Sequence, residues 1–589
     1  MKQNLVRNGL IVVASVLALA SCARIPDSGP VSKVGVDRGT DENTVRYSPA
    51  GPANDASPQQ IVRGYLDAML AYPVSTGTAS AFLTPEAARD WKSSAGVEVY
   101  EAPDVSTPVI RDNGGGVERP SARVSLNLVE DAKLDRQGRF SRVNARKNFT
   151  FRLVSTGGQW RIDNPQPGFL VNQKFFDDYY RPFNDYFFDR SGKRLVAMPI
   201  YVPVGDQLST ALISSLLVGP GNLINSSART YLPKDAQLRT SVPLRNDGLA
   251  EVQFRGDLTS LPTSAQARLS AQITWTLRQV DRVSGVRIIG GDNVLYPGDR
   301  GVQSVDSWQT FGPRFGDGGF YGLQKNRIVK LSGRAVDPVE GPWGSNARGA
   351  VSLAVDSGNV AVVGKGRTSL LIGSFAKKNV ATINGHNLLS PLWDDSDGVW
   401  AVDTSGGDTR VRIVKGKAVR QLAIGRLAAF DVRSFALSPD GSRYSLIAEV
   451  GTGSQVYAGS VLRDSSDSVV SLGAPTHLQG NGSTFTKPRS MSWANDTTVT
   501  FLADDDVVGT QIFQARIDGS MVSGGTASSG PLLPNIDAVS FATTGGDRPV
   551  RYVTDKKLET WLLRSGGAWE RINPRAITAI IASTSSPSG

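Results

Sequence analysis

One cysteine, two histidines and two clusters of aspartates are the side chains of this 589-residue sequence from which reactive chemistry would be built. Cys22 follows Leu19-Ala20-Ser21 and an apolar stretch from Gly9 to Ala18, with Lys2 and Arg7 ahead of it. That stretch is shorter than the about 20 apolar residues that span a bilayer. Its basic, apolar and small-residue regions are those of an export signal. Leu-Ala-Ser-Cys matches the bacterial lipobox, so the chemistry expected at Cys22 is acylation. The thiol receives a diacylglyceryl group, cleavage makes Cys22 the first residue, and its new amino group is N-acylated. Two acyl chains meet the requirement for stable anchoring, which one chain does not. The expected location is the extracytoplasmic face of the cell membrane, with no disulfide to staple the exported domains.

The rest of the inventory is thin. His386 and His477 fall in loops rich in Gly and Asn. Neither is accompanied by a nucleophile elbow, and no zincin or phosphate-loop motif occurs. Asp394-Asp395-Ser396-Asp397-Gly398 and Asp504-Asp505-Asp506 lack the spacing of a calcium loop and sit where turns are expected. No catalytic residue, no metal site and no cofactor beyond the lipid is expected, and the chain reads as a non-enzyme. Partner-binding residues cannot be nominated from the sequence. Carboxylates paired in space for glycan hydrolysis remain invisible at this level. Net charge is +10, and removing Lys2 and Arg7 leaves +8. Export argues against a nucleic-acid partner. The densest basic run, Arg139, Arg142, Arg146, Lys147 and Arg152, is expected on an exposed hairpin face.

These residues need elements to position them. Residues 1–21 are the signal peptide and 22–57 a linker rich in Pro, Gly, Ser and Asp, with a reach of roughly 33 Å. Ser57-Pro58-Gln59-Gln60 is a capping box with proline in the first turn. The helix it opens carries Ile61, Tyr65 and Met69 beside Val62, Leu66 and Leu70. Thr84-Pro85 opens a second helix through Trp91. Alternation in Val124-Leu126-Leu128 and Phe149-Phe151-Leu153, then Gly157-Gly158 and Trp160-Arg161-Ile162, predicts antiparallel strands. Together, residues 58–172 read as an α+β cone resembling the NTF-like fold. Eight aromatics crowd Phe175–Phe188. They read as an inter-domain seam that Pro182 interrupts, leading into the next domain, 183–300. There a hairpin from Tyr186 to Val202 precedes a helix from Asp206 ended by Gly219-Pro220. A strand with Val252 and Phe254, a helix with Leu269, Ile273, Leu277 and Val280, and a strand Val286–Ile289 follow. Leu216–Pro220, Tyr231-Leu232-Pro233 and Thr274–Leu277 resemble the GerMN domain, which carries no established catalytic residues.

The C-terminal half repeats. Val355, Trp393, Leu437, Trp493 and Phe541 close five similar triplets, spaced by 38, 44, 56 and 48 residues. Each is followed by a polar turn such as Ser438-Pro439-Asp440-Gly441, and then by a second strand. Repeats of this length with several short strands predict a β-propeller over 308–583. Five blades are legible. A sixth is expected to join strands near Ile328 to the terminal Ile577–Ile581, closing the ring and pairing its edges.

The expected fold class is thus multidomain: an NTF-like α+β cone, a GerMN-like α+β domain and an all-β propeller of about six blades. Lipobox, linker, cone, GerMN-like domain and propeller in this order are similar to the LpqB lipoproteins of actinobacteria. The resemblance implies an accessory of a two-component system of the MtrA–MtrB type. The implied partner is the extracytoplasmic domain of the MtrB-type sensor kinase, in envelope homeostasis and division. Two other classes stay open: an envelope glycan hydrolase using propeller carboxylates, and a passive module binding wall glycan or lipid.

Overall fold

The computed structural model describes residues 46–111, 120–221, 227–295, 301–312, 319–377, 380–394, 398–478, 485–520, 533–544, 551–565, 567–572 and 576–583. Helix α1 (Pro58–Ala68) starts as its sequence dictates. Ser57 Oγ accepts from the Gln60 amide, and Gln60 Oε1 accepts from the Ser57 amide at 2.8 Å. Its buried stripe of Ile61, Val62, Tyr65 and Leu66 packs on a sheet whose inward residues alternate. Helix α2 (Pro85–Asp90) is capped by Thr84. The sheet contains β1 (Val97–Val105), the long hairpin β2 (Ser121–Leu134) and β3 (Phe140–Thr156), β4 (Gln159–Ile162) and β5 (Phe169–Asn172). Its order is β4-β3-β2-β1-β5. Gly157 and Gly158 both take positive φ in the β3–β4 turn, a conformation glycine adopts without penalty.

The aromatic run divides between two elements. Phe175, Phe176 and Tyr179 lie on α3 (Gln173–Tyr179), and the other five on β6 (Tyr180–Asp189). Pro182 does not interrupt that strand, contrary to the sequence reading. It pairs with Tyr201 of β7 (Leu195–Pro203), whose amide points away and donates to the Gly138 carbonyl at 2.7 Å. This is a non-hydrogen-bonded pair, where the proline nitrogen owes the ladder nothing. The hairpin is therefore longer than the Tyr186–Val202 span read from the sequence. Helix α4 (Leu208–Val218) follows, then β8 (Leu249–Phe254), α5 (Thr263–Leu277) and β9 (Gly285–Gly290). Strands β8 and β9 are parallel, with α5 as their crossover. Phe187, Leu212, Phe254, Ile273 and Ile288 meet in one core.

The C-terminal half builds six sheets from the described residues. Blade 1 joins residues 320–338 to the last strand, Ile577–Ala582, with Phe320 opposite Ala582 and Gly322 opposite Ile580. The terminal strand thus closes the ring, as the repeat pattern predicts. Blades 2 to 6 cover residues 350–384, 392–421, 431–472, 485–516 and 538–572. In each blade the triplet strand lies at one end of the sheet order, innermost in the ring.

Candidate functional site in the propeller channel

The six inner strands enclose a channel of about 510 Å³. All six run in the same sense, and the two ends of the channel differ. Where the strands begin, Ser390, Arg433 and Thr578 are exposed. Where they end, Asp394, Ser438, Asp440 and Ser583 are buried. Arg194, from the middle domain, joins the lining at the buried end.

The buried end is built by a polar latch between the propeller and the β6–β7 hairpin. Ser438-Pro439-Asp440-Gly441 forms a tight turn because Asp440 Oδ1 accepts from the Ser442 amide at 3.0 Å and from Ser438 Oγ. That turn aims the Asp440 carboxylate at Arg443, 3.5 Å away. The Arg443 guanidinium also donates to the Asp496 carbonyl at 3.1 Å and to the Ala197 carbonyl of β7. Burial lowers the pKa of Arg443 from its usual value, with Asp440 opposing that shift. Beside it, Arg463 bridges the Asp394 carboxylate and the Asp467 carbonyl. Arg194, from the hairpin, reaches Asp467 Oδ1 at 3.0 Å. The side chains of Arg463 and Asp394 are 3% and 2% exposed. Charges so deeply desolvated persist only where each is paired. Asp496 is the exception. Burial and the neighbouring Asp440 hold its carboxyl well above the usual range.

A second seam ties the first domain to the middle one. The tip of the β2–β3 hairpin lies on β7 and α4. Arg139 donates to the Gly219 carbonyl that ends α4, and Tyr72 Oη donates to the Val204 carbonyl at 2.8 Å. Ser215 Oγ lies 2.6 Å from Asp185 Oδ2 and 3.0 Å from the Gln137 carbonyl. One hydroxyl carries one proton, so both contacts are satisfied together when Asp185 is itself protonated. Burial pushes the Asp185 carboxyl up to about 7, against the lowering effects of Ser215 and Arg139.

Residues 51–177 match the model of the lipoprotein LpqB N-terminal domain, 326–574 that of the lipoprotein LpqB beta-propeller domain, and 185–294 the sporulation and spore germination model.

The chain belongs to the LpqB lipoprotein family.

Lipoprotein LpqB of Streptomyces avermitilis is 24% identical over 606 residues, covering 97% of each chain. Lipoprotein LpqB of Mycobacterium bovis (strain BCG / Pasteur 1173P2) is 29% identical over 475 residues, 73% of this chain and 76% of the relative. Among solved structures, TolB from Acinetobacter baumannii is similar at a TM-score of 0.34 and 10% identity, over 55% of this chain and 86% of that one. The propeller assignment rests on the sheets and the family model, not on that likeness.

Within this LpqB-family fold, the sequence-nominated residues meet different fates. Leu19, Ala20, Ser21 and Cys22 lie outside the described residues. His386 and His477 are exposed. Asp505 accepts from the Val507 and Val508 amides at 2.8 and 3.0 Å, as its turn position predicts. Asp394 does more than shape a turn, since it neutralises Arg463 in the latch; residues 395–397 lie outside the described set. The basic run is not one open face. Arg142 pairs with Asp131 at 3.4 Å and donates to the Gly519 carbonyl of the propeller at 3.2 Å, while Lys147 pairs with Glu98 at 2.6 Å. Arg152 pairs with Asp163 at 2.6 Å, and Arg146 remains exposed. Arg194, Arg443, Arg463, Asp467 and Asp496 were missed. The one legible signal was Arg443, a charge opening the largely apolar strand Tyr444–Ile447, in which Ser445 is the one polar residue. Among the described residues, no group of three His, Cys, Asp or Glu side chains is placed to hold a metal, and no helix is long and apolar enough to cross a membrane.

Proposed function

We propose that this protein is a membrane-tethered, extracytoplasmic, non-enzymatic adaptor that regulates a sensor histidine kinase of the MtrB type in an MtrA–MtrB-like two-component system. Its role lies in envelope homeostasis and division. Diacylglyceryl and N-acyl groups on Cys22 anchor it, and the kinase's extracytoplasmic domain is its partner. The observation that carries this reading is the joining of three domains by buried polar seams. The Arg443–Ala197 and Tyr201–Gly138 contacts weld the propeller and the first domain to the middle one. A body built this way transmits a load or a displacement from one end to the other, whereas domains on loose linkers move independently. Membership of the LpqB family supports the same role. A hydrolase reading is less well supported, because the channel acids Asp394 and Asp440 are both held by buried arginines.

The test is binding of residues 23–589 to the purified extracytoplasmic domain of the co-occurring kinase, by calorimetry. The expected result is saturable binding with a Kd of about 10 μM or tighter. The truncations begin at about 175 and 305, and one of them should abolish binding. Absence of binding to either the isolated kinase domain or the full-length kinase in detergent would sink the adaptor reading.

A further inference from the structure

The wall of the propeller channel is rich in backbone polar groups, some of them bonded to neighbouring side chains, as the Val355 carbonyl is to Ser583 Oγ and the Phe541 amide to Ser490 Oγ. Each inner strand is hydrogen-bonded to its blade along one edge and is the last strand of its sheet. Its other edge, with alternating amides and carbonyls, is turned to the channel. Strand edges left in this way seek partners. Between them stand Ser434 and Ser492, half-buried in the lining, Ser540, whose Oγ shares a hydrogen bond with Thr554 Oγ1, and the half-buried Trp393. The Trp393 indole N–H is engaged with the Ala354 carbonyl of the adjacent blade at 3.2 Å, which holds the ring in place.

Most of the charges around this wall are already matched; Arg367, also in the lining, donates to the Leu388 carbonyl at 2.9 Å. Asp394 and Asp440 are bound by Arg463 and Arg443, and Arg194 by Asp467. At the exposed end, Arg433 lies 2.6 Å from Asp431 and 3.7 Å from Glu449. Past Arg367, a charged ligand would meet carboxylates and guanidiniums already paired with one another, and would lose its hydration for little gain of a counter-ion. An apolar ligand would strand the backbone groups of six strands. What suits the site is a neutral molecule with many donors and acceptors and some apolar faces to lie on aromatic rings. The volume, about 510 Å³, is that of a small-molecule site.

We propose that the propeller channel is a binding site for an uncharged saccharide of two or three rings, entering at the end marked by the exposed Ser390, Arg433 and Thr578. Trp393 supplies a stacking surface, while serine hydroxyls and strand-edge groups bind the sugar hydroxyls. The site does not rest on the adaptor reading. Loss of kinase binding leaves it standing, and its failure leaves the adaptor standing.

The test uses the full chain in detergent with ¹³C-methyl methionine. Met491 is half-buried in the channel lining and reports on occupancy without any substitution. Chitotriose, maltotriose and mannotriose are titrated in turn, with a phosphorylated hexose and a serine-glycine hexapeptide as comparisons. The expected result is a saturable shift of the Met491 resonance with at least one trisaccharide, at a Kd of about 1 mM or tighter. Ser434→Leu and Ser492→Leu, which add bulk to the lining from two blades, should each weaken that binding at least about 10-fold while the melting transition is retained. No shift with any trisaccharide would overturn the proposal. So would a shift with only the phosphorylated sugar or the peptide.

Discussion

Asp185 shows how a single buried group makes a domain seam sensitive to pH. Its ordinary value is 3.8, and burial between the first and middle domains pushes it up to about 7. Below about 4 the group is protonated whether folded or unfolded. Between about 4 and 7 the unfolded chain gives up the proton and the folded chain keeps it, so unfolding becomes easier as pH rises. The stability associated with this group is therefore present at low pH and lost through the folded value near 7. Asp185→Asn keeps the shape of the neutral acid and cannot ionise. The fall in unfolding free energy between about pH 5 and pH 8 should be smaller in the variant than in the parent, by about 2–3 kcal/mol. Denaturant titrations at the two pH values check this, and equal slopes for both proteins would refute it. Asp496 follows the same logic at the other seam, where burial and Asp440 raise its carboxyl beside Arg443.

Among the elements, the β2–β3 hairpin most clearly acts beyond its own sheet. Its body is an ordinary alternating pair, but its tip is a clasp. Gly138 takes φ +81° there, and a Cβ at this position would stand 2.3 Å from the Tyr201 carbonyl oxygen. Two penalties coincide, a left-handed backbone and a clash with backbone that cannot swing aside. Gly138→Ala should destabilise the protein by about 1–3 kcal/mol and open the seam between the first and middle domains. Limited proteolysis within residues 200–206, compared with the parent, reads that opening. An unchanged cleavage rate together with unchanged stability would count against the clasp. The arginines on the same hairpin explain why the basic run is not one open face. Arg139 and Arg142 spend their charge on neighbouring domains.

At the scale of the whole molecule, closure of the ring is the decisive event. Blade 1 takes its inner strand from the end of the chain, and Ile577 and Ile580 are buried against Tyr552 and Val329. Ending the chain at residue 576 removes that strand, leaves the Phe320–Gln324 edge unpaired and exposes the facing cluster. Burial of the two isoleucines alone stabilises by roughly 3–6 kcal/mol. The truncated protein should melt at a lower temperature, with the propeller transition broadened or split by calorimetry. A single unshifted transition would mean that closure contributes little. The latch sits on the same body, so opening of the ring should also loosen the contact of β7 with Arg443.

Much of this organisation was legible from neighbours along the chain. The Ser57–Gln60 capping box, the alternation in β2 and β3, the Gly157-Gly158 turn and the spacing of the blade triplets depend on residues a few positions apart. Local backbone preference and side-chain periodicity are enough to specify them. Even closure by Ile577–Ile581 was readable, because a repeat with one strand missing at its start must recover it at its end. The latch and the seams were not readable. Arg443 meets Ala197 across 246 residues, Arg194 meets Asp467 across 273, and Arg142 meets Gly519 across 377. Nothing in the local sequence distinguishes these arginines from the solvated ones, since desolvation and partner choice exist only once distant elements are packed together. Pro182 teaches the same lesson in the backbone. The residue alone argues for a break, and only the register of β6 against β7 makes its missing N–H harmless. The sequence by itself determined the elements, their order and the ring. The tertiary structure alone decided which charges are buried, which end of the channel meets the middle domain, and how three domains become one body.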